Sequence, residues 1–318
     1  MKYYIGIDLG GTNIKAGIVD ENGKLLSSKS VKTNCPRPAE AIMDDMATLC
    51  VDVATEFGLT LDEIEKIGIG TPGTVNNIKG ELIYSNNLDA ENVMMKDYLE
   101  AKLSRKVYVD NDANAAGVAE YIFGAGKDVN SMIAITLGTG VGSGIIIDGK
   151  ILQGSMFSGG EIGHMVISVG GRQCTCGRKG CFEAYSSATG LIATTKEKML
   201  ENRESAMWSE VSDISEVNGR LAYNYSRKGD ETAIAVVKEY EEYLASGLAS
   251  VINIFQPDII CLGGGVANEK ENMLVPVRAI VESETYDKDN HTKIVSAKLG
   301  YEAGIVGAAF LWKIIDNQ

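Results

Sequence analysis

The sequence is poor in histidine, proline and tryptophan, and it contains no long apolar run. Its 318 residues include two His, five Pro and two Trp. The longest uncharged stretch, residues 129–147, is interrupted by polar side chains and four glycines, so it does not read as a membrane span. Asp8 and two glycines also break the apolar core that a signal peptide needs. We therefore expect a cytoplasmic protein with no membrane partner.

Positive charge is the other shortage. There are 30 basic against 43 acidic residues, a formal net charge of −13. Such a surface repels a phosphate backbone, which argues against nucleic acid as a partner. The 45% hydrophobic and 23% charged residues are ordinary for a globular protein and exclude disordered, collagen-like and knottin-like chains. The length suits one large or two medium domains.

Strands and helices alternate along the chain, a pattern that predicts an α/β fold. The first 31 residues read as a three-stranded meander with turns at glycines. Apolar periodicity predicts helices at 38–57, 112–123, 230–255, 270–285 and 304–315, and short apolar runs predict strands at 67–69, 107–109, 132–137, 145–147, 258–262 and 294–297.

Two segments of the chain are similar to each other. In 9–24 and in 137–150, a strand ends in Leu-Gly, a turn of small residues follows, and the next strand ends in Asp before a Gly-Lys turn. This similarity predicts an internal repeat, with two related halves that face each other across a cleft.

Three glycine-rich turns follow predicted strands: Gly10-Gly11-Thr12, Gly138-Thr139-Gly140-Val141-Gly142 and Gly263-Gly264-Gly265. Glycine lets backbone N–H groups approach an anion closely, so such turns can cradle phosphate. One such turn is more often only a tight turn, but three at strand ends indicate nucleotide binding. The P-loop motif is absent, and strands rather than helices follow the first two turns, which excludes a Rossmann fingerprint.

Asp110, Asn111 and Asp112 stand where a predicted strand ends and a helix begins. Asn and Asp are preferred helix caps, so capping alone is one interpretation. The carboxyl ends of strands are also where α/β proteins bind ligands. In phosphoryl transfer to a hydroxyl, a carboxylate accepts the hydroxyl proton, and Asp112 is the best candidate for that base.

Three of the six cysteines fall within eight residues and have a histidine upstream. Cys174, Cys176, Cys181 and His164 have the ligand types of a closed structural zinc site, which leaves no open position for catalysis. The C-x-C spacing does not match the C-x-x-C of a redox pair. Of the other such residues, we expect Cys50 and Cys261 in the core, Cys35 in a loop and His291 at the surface.

These motifs resemble, in order, those of the ROK family of bacterial sugar kinases. The resemblance covers essentially the whole chain through DLGGTNIKAG, Asn111-Asp112, LGTGVGSG, GEIGH and C-x-C-G-x-x-G-C-x-E. It implies a duplicated, actin-like (ribonuclease H-like) fold that closes around ATP and a hexose. We expect a small domain of residues 1–120, with a C-terminal helix 304–318 packed back on it, and a large domain of residues 121–303 with the zinc site.

The resemblance also implies roles for individual residues. Asp112 would take the proton of the sugar 6-hydroxyl, and His164 would serve both zinc and sugar. The sugar hydroxyls would be held by Gly73, Asn87, Asn111, Asp112, Glu161, His164 and Glu183. Phosphates and Mg²⁺ would be handled by Asp8, Gly10, Gly11, Thr12, Gly138, Thr139 and Gly140, with Gly264 and Gly265 near the adenosine. One departure is local: many relatives carry Gly-Trp where this chain has Asp89-Ala90.

The resemblance leaves several functions open. Residues 174–191 are most similar to bacterial glucokinases, so glucose is the expected substrate, and N-acetylmannosamine, N-acetylglucosamine, fructose and allose are the alternatives. A non-catalytic sugar sensor is an alternative of another class. The repressors of the family place a DNA-binding segment before the first glycine-rich motif, which begins here at residue 8. Because dimers are the commonest oligomers, we expect a homodimer.

Overall fold

A computed structural model describes residues 1–317 of the chain. Within them, the strands are β1 (Tyr3–Leu9), β2 (Asn13–Asp20), β3 (Leu25–Lys32), β4 (Ile64–Thr71), β5 (Thr74–Asn76), β6 (Glu81–Ser85), β7 (Ala90–Met94), β8 (Val107–Asn111), β9 (Met132–Leu137), β10 (Val141–Ile147), β11 (Lys150–Ile151), β12 (Ile259–Gly263) and β13 (Lys293–Ser296). The α-helices are α1 (Ala39–Phe57), α2 (Met95–Leu103), α3 (Asp112–Phe123), α4 (Glu183–Ser186), α5 (Ala188–Glu201), α6 (Leu221–Ser226), α7 (Glu231–Phe255), α8 (Glu271–Glu284) and α9 (Ala303–Ile315). Helices and strands therefore alternate as the α/β prediction requires.

Two five-stranded sheets have equivalent strand orders, in which β11, β10 and β9 take the places of β3, β2 and β1, and β12 and β13 take those of β4 and β8. The first is β3-β2-β1-β4-β8 and the second is β11-β10-β9-β12-β13. In the first, β1 pairs antiparallel with β2 and parallel with β4, and β4 pairs parallel with β8. The segments that are similar in sequence form β1–β2 and β9–β10, so the predicted repeat corresponds to a duplicated architecture. A third, small sheet has the order β5-β6-β7.

The chain divides into two compact units. The first comprises Met1–Ala134, Gly144–Gly160 and the chain from Lys298 onward, and the second comprises Ile135–Ser143 and Glu161–Ala297. The first unit thus continues beyond residue 120 and includes a further segment, whereas the sequence predicts a small domain of residues 1–120 with helix 304–318 packed on it. Gln318, the end of that expected helix, lies outside the described residues.

Helix α1 covers one face of the first sheet. Its buried residues recur at three- and four-residue spacing and include Ile42, Met46, Leu49 and Val53, which join the core formed by the strands. The thiol of Cys50 lies on the same face and is buried, as predicted. Gly58, in the left-handed conformation, ends the helix.

The other face of the first sheet is covered by α3 and α9. Helix α9 is buried along most of its length, and its residues share a core with Tyr4, Val19 and the apolar face of α3. At Gly6 and Gly68 the helix backbone lies directly on the sheet, because a Cβ at either position would overlap a carbonyl oxygen of α9. Close packing of this kind fixes how the helix lies on the strands.

The second unit is organised around the long helix α7. Helices α5, α6 and α8 pack on it, and its buried face includes Ala233, Tyr240, Leu244 and Leu248. Cys261 is buried in β12, as predicted, and His291 is exposed. Cys35, in the first unit, is half-buried. None of the helices in residues 1–317 combines the length and the apolar character of a membrane span.

Glu241 is a buried carboxyl group on α7. It is 7% exposed, and the hydroxyl of buried Tyr223 donates a hydrogen bond to its Oε1 at 3.2 Å. Burial raises the pKa of Glu241 from 4.5 to about 7, and the hydrogen bond from Tyr223 opposes that rise. The folded protein therefore holds this proton more tightly than the unfolded chain does.

We expect the stability of the protein to fall as the pH rises through this range. A raised pKa in the folded state gives stability that is present below the unfolded pKa and lost as the pH rises to the folded one, by up to about 3 kcal/mol. Glu241→Gln keeps an acceptor for Tyr223 but does not titrate. Its Tm should match that of the wild type at pH 4 and exceed it increasingly towards pH 8, measured by thermal unfolding.

The matched control is Glu242→Gln, at a neighbouring side chain that is 53% exposed. Its Tm should stay parallel to the wild type across the same pH range. Parallel Tm curves for Glu241→Gln and the wild type would show that this carboxyl does not change its protonation on unfolding.

Candidate functional site

The carboxyl end of β8 runs directly into α3, and Asn111 is the residue that caps the helix. Its Oδ1 accepts hydrogen bonds from the N–H groups of Ala113 at 2.8 Å and Asn114 at 3.3 Å. Asp112 is the first residue of α3 and is exposed, with Oδ1 accepting from the N–H of Ala113 at 2.9 Å. Because Asn111 is the N-cap, capping alone does not account for the carboxylate at position 112.

Asn111 is held by the turn that follows the neighbouring strand β4. Its Nδ2 donates to the carbonyl oxygen of Gly73 at 3.1 Å, and the parallel pairing of β4 with β8 places Thr71 opposite Asn111. Gly73 has φ +115°, and a Cβ there would collide with the carbonyl oxygen of Tyr84. Only glycine fits this turn without displacing its neighbours. The structure thus brings together Gly73, Asn111 and Asp112.

The first glycine-rich turn joins β1 to β2. The N–H of Gly10 donates to the carbonyl of Asn13 at 2.9 Å, and Thr33 braces the turn through a 2.6 Å hydrogen bond from its hydroxyl to the carbonyl of Gly10. Thr12 is exposed. Asn87, which is also exposed, lies against this turn, since a Cβ on Gly11 would be 3.5 Å from its carbonyl oxygen.

A cation to which the sequence motifs assign no role lies beside this turn. Lys15 is the register partner of Asp8 across the β1–β2 pair, and its Nζ is 3.6 Å from Oδ2 of Asp8. The signal was available, since the short turn of an antiparallel pair places these two positions opposite each other. Asp8, one of the residues expected to handle phosphates and Mg²⁺, therefore has a positive neighbour on the same face.

In the second unit, the glycine-rich turn after β9 is tied down by side chains from α4 and α5. The N–H of Gly138 donates to the carbonyl of Gly140 at 3.0 Å, and the hydroxyl of Thr189 donates to the carbonyl of Thr139 at 2.8 Å. Glu183, expected to hold sugar hydroxyls, accepts the N–H of Val141 at 2.9 Å. The other glycine-rich positions, Gly264 and Gly265, are exposed where β12 ends.

His164 and the three cysteines converge in the second unit. Their ligand atoms all lie within 4.8 Å of one another, with Nδ1 of His164 3.8 Å from Sγ of Cys174, and Sγ of Cys176 3.6 Å from Sγ of Cys181. A tetrahedral zinc with Zn–S bonds of about 2.3 Å separates its sulfurs by about 3.8 Å. These side chains therefore fit a zinc ion.

The cysteines differ in their protonation chemistry. The N–H of Arg178 stabilises the thiolate of Cys176 and lowers its pKa, whereas burial raises the pKa of Cys181 to about 12. A metal that takes all three as thiolates must displace protons, so its binding would weaken in acid. Glu183 links this cluster to the glycine-rich turn, because its Oε1 is 3.5 Å from Sγ of Cys174. Glu161 is exposed, just before the short helix that carries His164.

Comparison with known proteins places these features in one family. The ROK family model matches residues 4–315. The chain is 35% identical over 312 residues to a glucokinase of Streptomyces coelicolor, covering 96% of each chain. It is 32% identical over 311 residues to a glucokinase of Thermotoga maritima, covering 97% of this chain and 96% of that one. A xylose repressor of Bacillus subtilis is 26% identical over 320 residues, and the match covers 99% of this chain but 77% of the repressor.

Solved structures agree with the fold. A ROK family glucokinase from Streptomyces griseus, in complex with glucose and AMPPNP, superposes with a TM-score of 0.81 at 36% identity, covering 97% of this chain and 98% of that one. A ROK hexokinase from Thermus thermophilus superposes with a TM-score of 0.79 at 31% identity, covering 96% of each. The duplicated sheets described above are thus those of the actin-like fold that the sequence predicted.

We expect Gly73→Ala to be more damaging than an alanine at an equally left-handed but open position. Gly58 is the matched control, because its φ is +85° and a Cβ there would meet nothing within 4 Å. Alanine at either position costs about 1 kcal/mol from backbone strain, and Gly73→Ala adds the collision with Tyr84. Thermal unfolding should give a clearly lower Tm for Gly73→Ala, and equal Tm values would contradict the close contact.

Proposed function

Since the chain belongs to the ROK family, we propose that it is an ATP- and magnesium-dependent hexose kinase that phosphorylates glucose at its 6-hydroxyl. The observation that carries this proposal is the exposed Asp112 at the start of α3, beside an asparagine that already caps the helix. The glucokinases of Streptomyces coelicolor and Thermotoga maritima, each matched over nearly the whole chain, support glucose as the substrate.

Asp112 would act as the general base. Its carboxylate accepts the proton of the 6-hydroxyl while the hydroxyl oxygen attacks the γ-phosphorus of ATP, and the bond to the β–γ bridging oxygen breaks to release ADP. Asp112 is in the first turn of α3, where the positive end of the helix dipole attracts a negative side chain. Proton transfer of this kind contributes roughly 10²- to 10⁴-fold to a rate.

The sugar hydroxyls would be held by the residues to which the family resemblance assigns that role. They are Gly73, Asn87, Asn111, Asp112, Glu161, His164 and Glu183. Nδ1 of His164 faces the cysteine sulfurs, so its Nε2 is the ring nitrogen that would reach the sugar. Carboxylates and neutral amides are suitable partners for hydroxyl groups, which both donate and accept hydrogen bonds.

ATP would be held by the glycine-rich turns. Backbone N–H groups of Gly10, Gly11, Thr12, Gly138, Thr139 and Gly140 would approach the phosphates, with Gly264 and Gly265 near the adenosine. Asp8 would bind Mg²⁺, which neutralises charge on the transferring phosphoryl group. Lys15, beside Asp8, would add positive charge to the first turn.

Zinc would be held by His164, Cys174, Cys176 and Cys181, and its role would be structural. Four protein ligands would close the coordination shell, so the site would order residues 164–181, which lie between His164 and Glu183. The close approach of the four ligand atoms supports this assignment. A homodimer and a cytoplasmic location stay predictions from the sequence.

A non-catalytic sugar sensor and a kinase for another hexose are the competing proposals. The xylose repressor of Bacillus subtilis extends beyond the region that it shares with this chain, since the match covers 77% of the repressor. An N-acetyl-D-glucosamine kinase of Aliivibrio fischeri is 30% identical over 319 residues. One inverted or substituted hydroxyl changes a few contacts only, so measured specificity must separate these sugars.

We expect the wild type to release ADP fastest with glucose when coupled assays are run separately with glucose, fructose, allose, N-acetylglucosamine and N-acetylmannosamine. Asp112→Asn should lower kcat by roughly 10²- to 10⁴-fold, because an amide cannot accept the proton. Glucose binding, measured by calorimetry, should change little. ADP release from no sugar would favour the sensor, and near-normal turnover by Asp112→Asn would remove it as the base.

The matched control is Asp128→Asn. Asp128 is an exposed acid of the same unit with φ +70°, a conformation that asparagine also tolerates. Its kcat and KM values should equal those of the wild type, so that loss of one negative charge alone does not explain the effect at position 112.

We expect the purified protein to contain about one zinc per chain, from the ligand count. Cys176→Ser should lower the zinc content and the Tm, because an alcohol is a poor zinc ligand. Cys35→Ser, at a half-buried thiol outside the cluster, should change neither. Elemental analysis and thermal unfolding measure both quantities, and a metal-free wild type with full Tm and activity would refute the site.

A further inference from the structure

Asp110 is a fully buried acid directly behind the Asn111–Asp112 step, and no role above uses it. It is 0% exposed and occupies the second-last position of β8. A charged group in such a place is costly unless hydrogen bonds replace the water it has lost. Its surroundings therefore indicate why it is there.

Four N–H groups from four parts of the first unit converge on this carboxylate. Oδ1 accepts the backbone N–H of Asn111 at 2.7 Å and Nδ2 of Asn114 at 2.8 Å. Oδ2 accepts Nδ2 of Asn77 at 2.9 Å and Nε2 of Gln153 at 3.1 Å. These donors belong to β8 itself, the first turn of α3, the segment after β5 and the segment after β11.

All four donors are neutral amides, and their number matches an ionised carboxylate. Such a group has about four acceptor sites, whereas the protonated acid would turn one of them into a donor. Burial raises the pKa of Asp110, and each of the four hydrogen bonds acts in the opposite direction. The arrangement uses every acceptor site on hydrogen bonds to the segments around the Asn111–Asp112 step.

We propose that Asp110 is a positioning residue that sets the orientation of Asn111 and Asp112 for phosphoryl transfer, an inference that rests on the proposed function. The carboxylate accepts hydrogen bonds on both sides of this step, from the N–H of Asn111 and from the side chain of Asn114 in the first turn of α3. Asn77 and Gln153 hold the same carboxylate from two other segments, so it cannot rotate without losing hydrogen bonds. A small displacement of a catalytic group costs much of its rate.

The direct test is Asp110→Asn, which is nearly isosteric but turns one acceptor into a donor that faces other donors. We expect kcat to fall by 10- to 100-fold and the KM for glucose to rise at least threefold, because both Asp112 and Asn111 shift. The KM for ATP should stay within twofold of the wild type. Partial unfolding would instead lower kcat in proportion to the folded fraction, measured by circular dichroism, with both KM values unchanged.

A swapped variant provides the matched control. In Asp110→Asn combined with Asn77→Asp, the amide at 110 can donate to the carboxylate at 77, and Gln153 can rotate its amide to offer its oxygen. The pair keeps its charge and its hydrogen bond, so kcat should recover to within fivefold of the wild type. Gln153→Ala removes one donor from a half-buried position and should lower kcat two- to fivefold even if Asp110→Asn does not fold.

Several outcomes would overturn the inference. These are wild-type kinetics in Asp110→Asn, a loss explained by the folded fraction alone, and a folded swapped variant that stays as slow as Asp110→Asn. If Asp110→Asn does not fold, unchanged kinetics in Gln153→Ala would overturn it. An inactive wild type would remove the proposed function together with this inference, whereas an active wild type with an unaffected Asp110→Asn would remove this inference only.

Discussion

Backbone contact between α9 and the first sheet is the constraint on which the first unit depends. Side chains normally separate a helix from a sheet, and here they are absent at Gly6 of β1 and Gly68 of β4. The same helix meets α3 equally closely, since a Cβ on Gly307 would overlap the carbonyl oxygen of Ala115. Helix α3 is therefore held against β1 and β4 through a helix that follows it by almost two hundred residues. The beginning of α3, where Asp112 stands, is positioned by this packing.

The parts of this fold that sequence predicts are those whose signal is local. Helix α3 was predicted at 112–123, as observed, because an asparagine cap precedes an alanine-rich run. Strand β9 was likewise predicted at 132–137 from its apolar run. The small sheet β5-β6-β7 was not predicted, because its strands have three to five residues and its edge strand β7 carries no apolar alternation. β10 begins at Val141 rather than 145, and its first four residues were not predicted as strand because two of them are glycines and they contain no apolar run.

In the candidate site, too, some features can be predicted from local sequence and others cannot. The glycine-rich turns, Asp112 and the Cys/His cluster are visible in sequence because the residues of each lie within one short stretch of the chain. The contacts that hold them come from distant residues and leave no pattern: Thr33 braces Gly10, and Glu183 reaches the N–H of Val141. Asp89 has a left-handed backbone conformation. Its φ is +50°, a conformation that glycine adopts freely and that aspartate tolerates better than most residues.

The net negative charge of the chain limits which groups can attract an anionic ligand. A chain with net charge −13 that binds ATP has to attract an anion against its own field. Local dipoles and cations can do so, and the N–H groups of the glycine-rich turns, the start of α3 and Lys15 are of this kind. A base at Asp112 adds a further negative charge at the place where phosphoryl transfer would occur. The buried carboxyl group of Asp110 accepts its four hydrogen bonds from neutral amides, none of which carries a charge. Neutral donors can thus hold the Asn111–Asp112 step without adding charge beside the proposed base, whose task is to accept the proton of a sugar hydroxyl.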